Sequence, residues 1–387
     1  MRICLLYDCL YPYTVGGAEH WYRDLTERLA LEGHEVTYVT LRQWDRGEMP
    51  RVPGVRVVVA GPRMKLYVRG RRGILPPLVF ALGGLWHLLR HGSSYDVVQT
   101  GAGPFFPLLS AVAARRVHPF RLAVDWFEVW PRDYWREYLG DVRGTIAWKI
   151  QRACARTHHE AFCNSRLHKR RLLEEGFRGE PILLEGLFRG RDGHAQAASQ
   201  SRVEPVVLFA GRHIPEKRVP ALIQAFAIAR ASVPELRCEV YGDGPDRQRV
   251  LELIETRGLH GAASAPGFVD ANRLADAIKR ALCLVLPSRR EGYGLVVVEA
   301  ASLGTPSVVV RGPDNAATEL IEDGVNGVIA PSADPHDLAA AILRVHEGGP
   351  ALRASTEAWF ARNAHRLSLE SSLAKVLQAY DGSAHED

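Results

Sequence analysis

The chain has 387 residues, 47% apolar and 24% charged, a globular balance that excludes disorder for its bulk and indicates two or three domains. Its 35 glycines and 23 prolines follow no period, which excludes a collagen-like or low-complexity chain. Formal charge is +5 but unevenly placed: residues 1–190 carry 28 Lys and Arg against 19 Asp and Glu, and residues 191–387 carry 21 against 25.

In chain order, the first apolar run (2–7) reads as a core strand, without the longer apolar segment and cleavage site of a signal peptide. Further strands are expected at 35–41, 55–60, 95–100, 120–127 and 160–164, with helices at 18–31, 75–90, 104–116, 144–158 and 165–175. The apolar stretch 74–89 holds paired prolines, paired glycines and His87, and falls short of the ~20 residues a spanning helix needs. Residues 186–205 are polar and unpatterned and read as a linker. The alternation then restarts, with strands at 206–210, 237–241, 283–286, 307–310 and 327–330 and helices at 219–232, 245–257, 271–281, 295–303 and 335–347.

This pattern predicts an α/β protein of two doubly wound, Rossmann-like domains facing a central cleft, the natural place for a ligand. The expected division is 1–185, a linker at 186–205, 206–365, and a C-terminal helix and tail at 366–387. Six cysteines (Cys4, Cys9, Cys154, Cys163, Cys238, Cys283) form no CxxC pair, and several lie inside apolar runs. A reducing, cytoplasmic compartment fits them.

Four Gly-containing turns carry the chemistry. After the strand ending at Pro287 comes Ser288-Arg289-Arg290-Glu291-Gly292-Tyr293-Gly294-Leu295, with Glu299 eight residues beyond Glu291. A helix starting at Gly294 offers free backbone N–H groups to an anion, and the two glutamates can accept hydrogen bonds from hydroxyls beside it. After the strand at 206–210 comes Gly211-Arg212, with Lys217 five residues on. Arg212 can grip a diphosphate with its planar fork, and Lys217 adds a mobile point charge. Tyr241-Gly242-Asp243-Gly244-Pro245 is a third turn, and Gly16-Gly17-Ala18-Glu19 opens the first helix. The plainer readings are a strand-to-helix turn with two incidental acids, a solvated basic loop, a connecting turn, and glycines that pack a helix on a strand, respectively.

Taken together, GGAE at 16–19, GR…EK at 211–217, YGDGP at 241–245, Gly267-Phe268-Val269, the E-x7-E element and the run from Glu319 to Gly327 resemble the retaining glycosyltransferases of family four, of the GT-B fold. The resemblance spans nearly the whole chain. It implies a nucleotide-diphosphate sugar as donor; no cofactor is expected, and the cationic Arg212–Lys217 loop together with the lack of an Asp-x-Asp points to no metal. It further implies that Arg212 and Lys217 hold the diphosphate, Glu299 the ribose and Glu291 the donor sugar. Gly292, Tyr293, Gly294 and Leu295 would support sugar and phosphate, Val269 would lie near the base, and Gly16, Gly17, Gly211 and Gly242 would admit the donor. One departure stands out. Where the family commonly has a His in the first domain, this chain reads Val124-Asp125-Trp126-Phe127-Glu128, placing Phe127 or Asp125 at that position. Asp125 and Glu128 are the polar groups left there, and Asp125 joins Glu291, Arg212 and Lys217 among the catalytic candidates.

His158-His159 close a helix pattern and suit its dipole better than a metal, and no Asp-x-Asp occurs. The run Lys169-Arg170-Arg171 reads as a solvated helix face. The expected activity is sugar transfer to an unidentified acceptor. A sugar-nucleotide epimerase of the same fold and a catalytically silent nucleotide-sugar-binding protein stay open as alternatives. Nucleic acid is not an expected partner. Residues 63–72 hold Arg63, Lys65, Arg69, Arg71 and Arg72 and no acid, directly before the apolar stretch 74–89. That pairing fits either a solvated loop before a buried helix or peripheral contact with an anionic bilayer at the inner membrane face, which would suit an anionic or lipid-linked acceptor.

Overall fold

The computed structural model describes residues 1–45, 47–68, 71–190 and 203–382. The chain forms two compact units, Met1–Leu187 together with the segment from Glu370 onward, and Phe188–Leu369. Most of the stretch read as a linker (191–202), and Arg69 of the basic run, lie outside the described residues.

The first unit contains β1 (Arg2–Leu6), β2 (Glu35–Thr40), β3 (Val55–Val59), β4 (Tyr67–Val68), β5 (Arg71–Arg72), β6 (Val97–Gly101), β7 (Arg121–Trp126), β8 (Glu160–Cys163) and β9 (Ile182–Leu183). Its helices before the linker are α1 (Gly17–Leu31), α2 (Leu75–His91), α3 (Phe106–Ala114), α4 (Arg132–Leu139), α5 (Asp141–Ala155) and α6 (Arg166–Glu174). Seven strands form a parallel sheet ordered β3-β2-β1-β6-β7-β8-β9, while β4 and β5 make a small antiparallel ribbon. Ile3 to Leu6 and Val97 to Gly101 are buried because a parallel sheet is covered on both faces, which is why these strands read as continuous apolar runs.

The second unit contains β10 (Val206–Ala210), β11 (Arg237–Tyr241), β12 (Ala263–Gly267), β13 (Cys283–Leu286), β14 (Arg290–Glu291), β15 (Ser307–Val310), β16 (Asp314–Asn315) and β17 (Gly327–Ala330). Its helices are α7 (Val219–Ser232), α8 (Arg247–Thr256), α9 (Ala271–Arg280), α10 (Leu295–Ser302) and α11 (Pro335–Leu367). The main sheet is ordered β12-β11-β10-β13-β15-β17, and β14 pairs with β16. In each sheet the chain runs to one side of its first strand and then resumes on the other. The switch points lie between β1 and β6 and between β10 and β13, where ligand crevices form at the carboxyl ends of strands.

Several elements differ from the sequence reading. The helix expected at 144–158 is preceded by a second one, α4, separated from α5 by Gly140 at φ 84°. β12 was not expected. Its sequence Ala-Ser-Ala-Pro-Gly has little strand character, and Pro266 is tolerated because β12 is an edge strand. The helix at 335–347 continues past a break at Gly349 (φ 48°, ψ −138°) and Pro350 to Leu367.

The C-terminal helix α12 (Leu369–Asp381) is counted with the first unit from Glu370 onward. There Lys375 Nζ donates to the Leu183 carbonyl at 2.8 Å, and Gly186 N donates to Ser372 Oγ at 3.0 Å. All six cysteines are buried, and among the described residues none forms a disulfide. Among the described residues no helix is long and apolar enough to cross a membrane.

Candidate active site

The second unit brings three of the four motif turns to the carboxyl ends of neighbouring strands. The Gly211–Lys217 loop follows β10, the Gly242–Gly244 turn follows β11, and the Ser288–Gly294 loop follows β13. The first and third leave the sheet at its switch point. Lys217 Nζ and Glu291 Oε2 form an ion pair across them, and Ser288 Oγ donates to the same carboxylate oxygen at 3.2 Å. Both side chains are largely withdrawn from solvent, at 16% and 14% exposure, so water weakens this pair less than a surface one. Arg289 N donates to the Glu216 carbonyl at 2.8 Å, tying the same two loops through backbone.

Glu291 is held from behind as well. Its strand β14 pairs with β16, placing Glu291 opposite Asn315. Asn315 Nδ2 donates to the Ser288 and Val310 carbonyls at 3.1 and 2.8 Å. The loop that presents Glu291 is thereby fixed from both sides.

Two glycines are required by geometry. Gly242 (φ 114°) brings the turn after β11 so close to the loop after β10 that a Cβ there would stand 1.9 Å from the Gly211 carbonyl oxygen. Gly294 precedes α10 at φ 103°, ψ 46°, and a Cβ on it would lie 2.8 Å from Ala317 Cβ. α10 has no side-chain cap at its amino end, so the first N–H groups there are available to an anion. Glu299 sits half-buried on α10 beyond this start.

Arg212 is exposed, and among the described residues its guanidinium makes no ion pair or hydrogen bond. Val269 is half-buried in the loop after β12, beside Phe268, which is 74% exposed. Phe268 belongs to the Gly267-Phe268-Val269 motif, and its exposure next to Val269 leaves a flat apolar face open.

In the first unit, Gly16 precedes α1 in extended backbone, and a Cβ on it would lie 2.5 Å from Glu19 Oε2. Gly17 begins the helix, and a Cβ on it would meet no other atom within 4 Å. α1 also carries Trp21 and Tyr22, and both reach Asp125 at the end of β7. Asp125 is 2% exposed and accepts from Trp21 Nε1 at 3.2 Å, Tyr22 OH at 2.7 Å and Gln99 Nε2 at 2.7 Å. Burial pushes its carboxyl up to about 6 despite these donors. Asp125, a catalytic candidate from the sequence, is thus held inside the first unit by three side-chain donors.

Phe127 is half-buried, its ring edge-on to Tyr22 at 6.3 Å. His159 is buried and accepts from Trp126 Nε1 at 3.0 Å, with burial lowering its pKa to about 3. Among the described residues no group of three His, Cys, Asp or Glu side chains is arranged to hold a metal ion.

Two family matches cover most of the chain. Residues 15–184 match the family described as Glycosyltransferase Family 4, and residues 194–363 match Glycosyl transferases group 1. The chain belongs to the family four glycosyltransferases.

An exopolysaccharide phosphotransferase of Streptomyces coelicolor is 35% identical over 143 residues, 36% of this chain and 14% of that protein. A D-inositol 3-phosphate glycosyltransferase of Nocardioides is 32% identical over 212 residues, 50% of this chain and 46% of that one. An alpha-D-kanosaminyltransferase of Streptomyces kanamyceticus is 33% identical over 141 residues, 36% of each. The chain thus spans less than half the length of these relatives. In fold it is similar to a sucrose-phosphate synthase from Thermosynechococcus elongatus (TM-score 0.79, 19% identity, all of both chains). It is also similar to HepE of Anabaena in complex with UDP (TM-score 0.75, 17% identity, 99% of this chain and all of that one). The fold is GT-B, built from two Rossmann-like parallel-sheet domains.

Proposed function

We propose that this glycosyltransferase moves a sugar, with retention of anomeric configuration, from a nucleotide-diphosphate sugar to an anionic or lipid-linked acceptor on the cytoplasmic side. The observation that carries the reading is the meeting of Lys217, Glu291 and the open amino end of α10 at the switch point of the second sheet. A dianionic group seated there would meet one ammonium, helix-end N–H groups and the free guanidinium of Arg212. Glu291 and Glu299 supply acceptors for hydroxyls on either side of it. The UDP held by HepE, and the glycosyltransferase activities named for the relatives, support such a donor here.

In this reading the acceptor oxygen bonds to the anomeric carbon on the face from which the diphosphate leaves. The carbon–oxygen bond to the phosphate breaks, its electrons go to the diphosphate, and a phosphate oxygen takes the acceptor's proton. The protein supplies preorganised positive charge. Removing one such donor costs about 3 kcal/mol of transition-state stabilisation in comparable sites. Val269 and Phe268 flank the base, and within the first unit Asp125 supports α1 through Trp21 and Tyr22.

Calorimetry with UDP, GDP, ADP and their common sugars tests donor binding, and NMR of the product anomer tests retention. Activity is expected to persist in excess EDTA, because the cations and helix amides balance the diphosphate. Abolition by EDTA with recovery on Mn²⁺ or Mg²⁺ would overturn metal independence. Binding without turnover across a broad acceptor panel would make the protein a silent binder.

A further inference from the structure

The stretch 74–89, apolar in sequence but for His87, is two-faced in the fold. α2 buries Pro76, Phe80, Ala81, Gly84, His87 and Leu88. Its approach to the sheet is close enough that a Cβ on Gly83 would meet the Ala60 carbonyl oxygen and one on Gly84 would meet Leu6. The opposite face is left in solvent. Leu75 (62%), Leu82 (69%) and Trp86 (67%) are exposed, as are Leu78 and Leu89. At 100° per residue these five fall on one stripe along a 17-residue helix, roughly 25 Å long. An unbroken stripe of this size on a soluble surface marks a place where something else binds.

Charge selects what that is. Between residues 49 and 95 the chain carries eight Lys and Arg and no Asp or Glu. Lys65 is exposed just before the β4–β5 ribbon that leads into the amino end of α2. Arg90 is exposed at the carboxyl end, and Arg56 is exposed on the edge strand β3. Between β3 and α2 runs a groove of about 240 Å³, with Val58 and Val59 on one side, Trp86 on the other, and Arg90 and His91 at its end. A second copy docking face to face would set these cationic flanks against themselves. A bilayer with anionic headgroups meets both features at once: the stripe enters the headgroup–acyl boundary, Trp86 sits at its preferred interfacial depth, and the flanking cations meet lipid phosphates.

From this geometry we infer that the outward face of α2, flanked by Arg56, Lys65 and Arg90, docks the protein on an anionic lipid surface without spanning it. This extends the acceptor half of the proposed function but stands on the surface alone, and vesicle binding is measured without donor or acceptor. Flotation with phosphatidylcholine vesicles, with and without phosphatidylglycerol, is the test. The protein is expected to float with the anionic vesicles, weakly with the neutral ones, and less as salt rises. A Leu82→Glu, Trp86→Glu variant and an Arg56→Glu, Arg90→Glu variant should each lose about tenfold or more in partitioning, with unchanged circular dichroism and Tm. Brominated lipids should quench the wild-type fluorescence, and Trp86→Phe should remove that quenching while keeping the surface apolar. Equal flotation with both vesicle types, or none with either, overturns the inference. So does a dimer in sedimentation analysis that the Leu82→Glu, Trp86→Glu variant abolishes.

Discussion

The ammonium of Lys217 rests against Oε2 of Glu291, joining the loop after β10 to the loop after β13 where the strand order of the second sheet reverses. The two residues are 74 positions apart in the chain. Their pairing orients the acceptor group of one loop and the cation of the other before any ligand arrives, so less of that ordering is left to binding.

Lys217→Ala removes the point charge and leaves Glu291 with the Ser288 hydroxyl. Nucleotide-diphosphate affinity is expected to fall about tenfold to a hundredfold, and Arg212→Ala should cost a similar amount through the loss of a fork donor. Calorimetry with a nucleoside diphosphate measures both. Unchanged donor binding in both variants would remove the diphosphate from this place.

The two glutamates should separate by ligand. Glu299→Ala is expected to weaken a plain nucleoside diphosphate, whereas Glu291→Gln should leave that affinity nearly intact and weaken the nucleotide sugar. Titrating each variant with both ligands reads the split. An equal loss toward the plain diphosphate in both variants would show that Glu291 does not address the sugar.

Gly294→Ala combines a left-handed backbone position with a contact of 2.8 Å to Ala317 Cβ. A destabilisation of about 1–3 kcal/mol is expected from strain and crowding together. Urea unfolding measures it, and donor affinity should fall with it, because the start of α10 must shift to relieve the clash.

Asp125 makes a prediction with a sign. Its folded carboxyl titrates at about 6 against 3.8 in the unfolded chain, so the folded state holds the proton more tightly between these values. The associated stability is fully present below about pH 3.8 and is lost as pH rises through about 6, a span on the order of 3 kcal/mol. Asp125→Ala strands three buried donors and is expected to cost a few kcal/mol. That cost should be larger near about pH 4.5 than near about pH 7, since the wild type has by then given up its proton-linked share. A penalty that grows toward neutral pH would reverse the assignment.

Local chemistry made much of the site legible in sequence. Gly242 and Gly294 stand after apolar runs that could only be covered strands, and Arg212, Lys217, Glu291 and Glu299 follow at short, fixed offsets from strand ends. Such features need only neighbours along the chain. β12 was missed because Ala-Ser-Ala-Pro-Gly is made a strand by pairing with β11, and α4 because its helical face is aromatic and packs on its own neighbours.

The sequence by itself determined the alternation of strands and helices, the division into two α/β halves and the glycine loops that follow the strand ends, because hydrophobic period and turn chemistry are local. Tertiary structure alone decided that Lys217 meets Glu291, that Asp125 is committed to Trp21, Tyr22 and Gln99, and that α12 packs with the first unit. It also decided which side of the largely apolar stretch 74–89 faces water. There the choice was made by Gly83 and Gly84, whose missing side chains let one face of α2 approach Ala60 and Leu6 and leave Leu82 and Trp86 outside. Burial depends on what the rest of the chain brings alongside, and that is not written in any one segment.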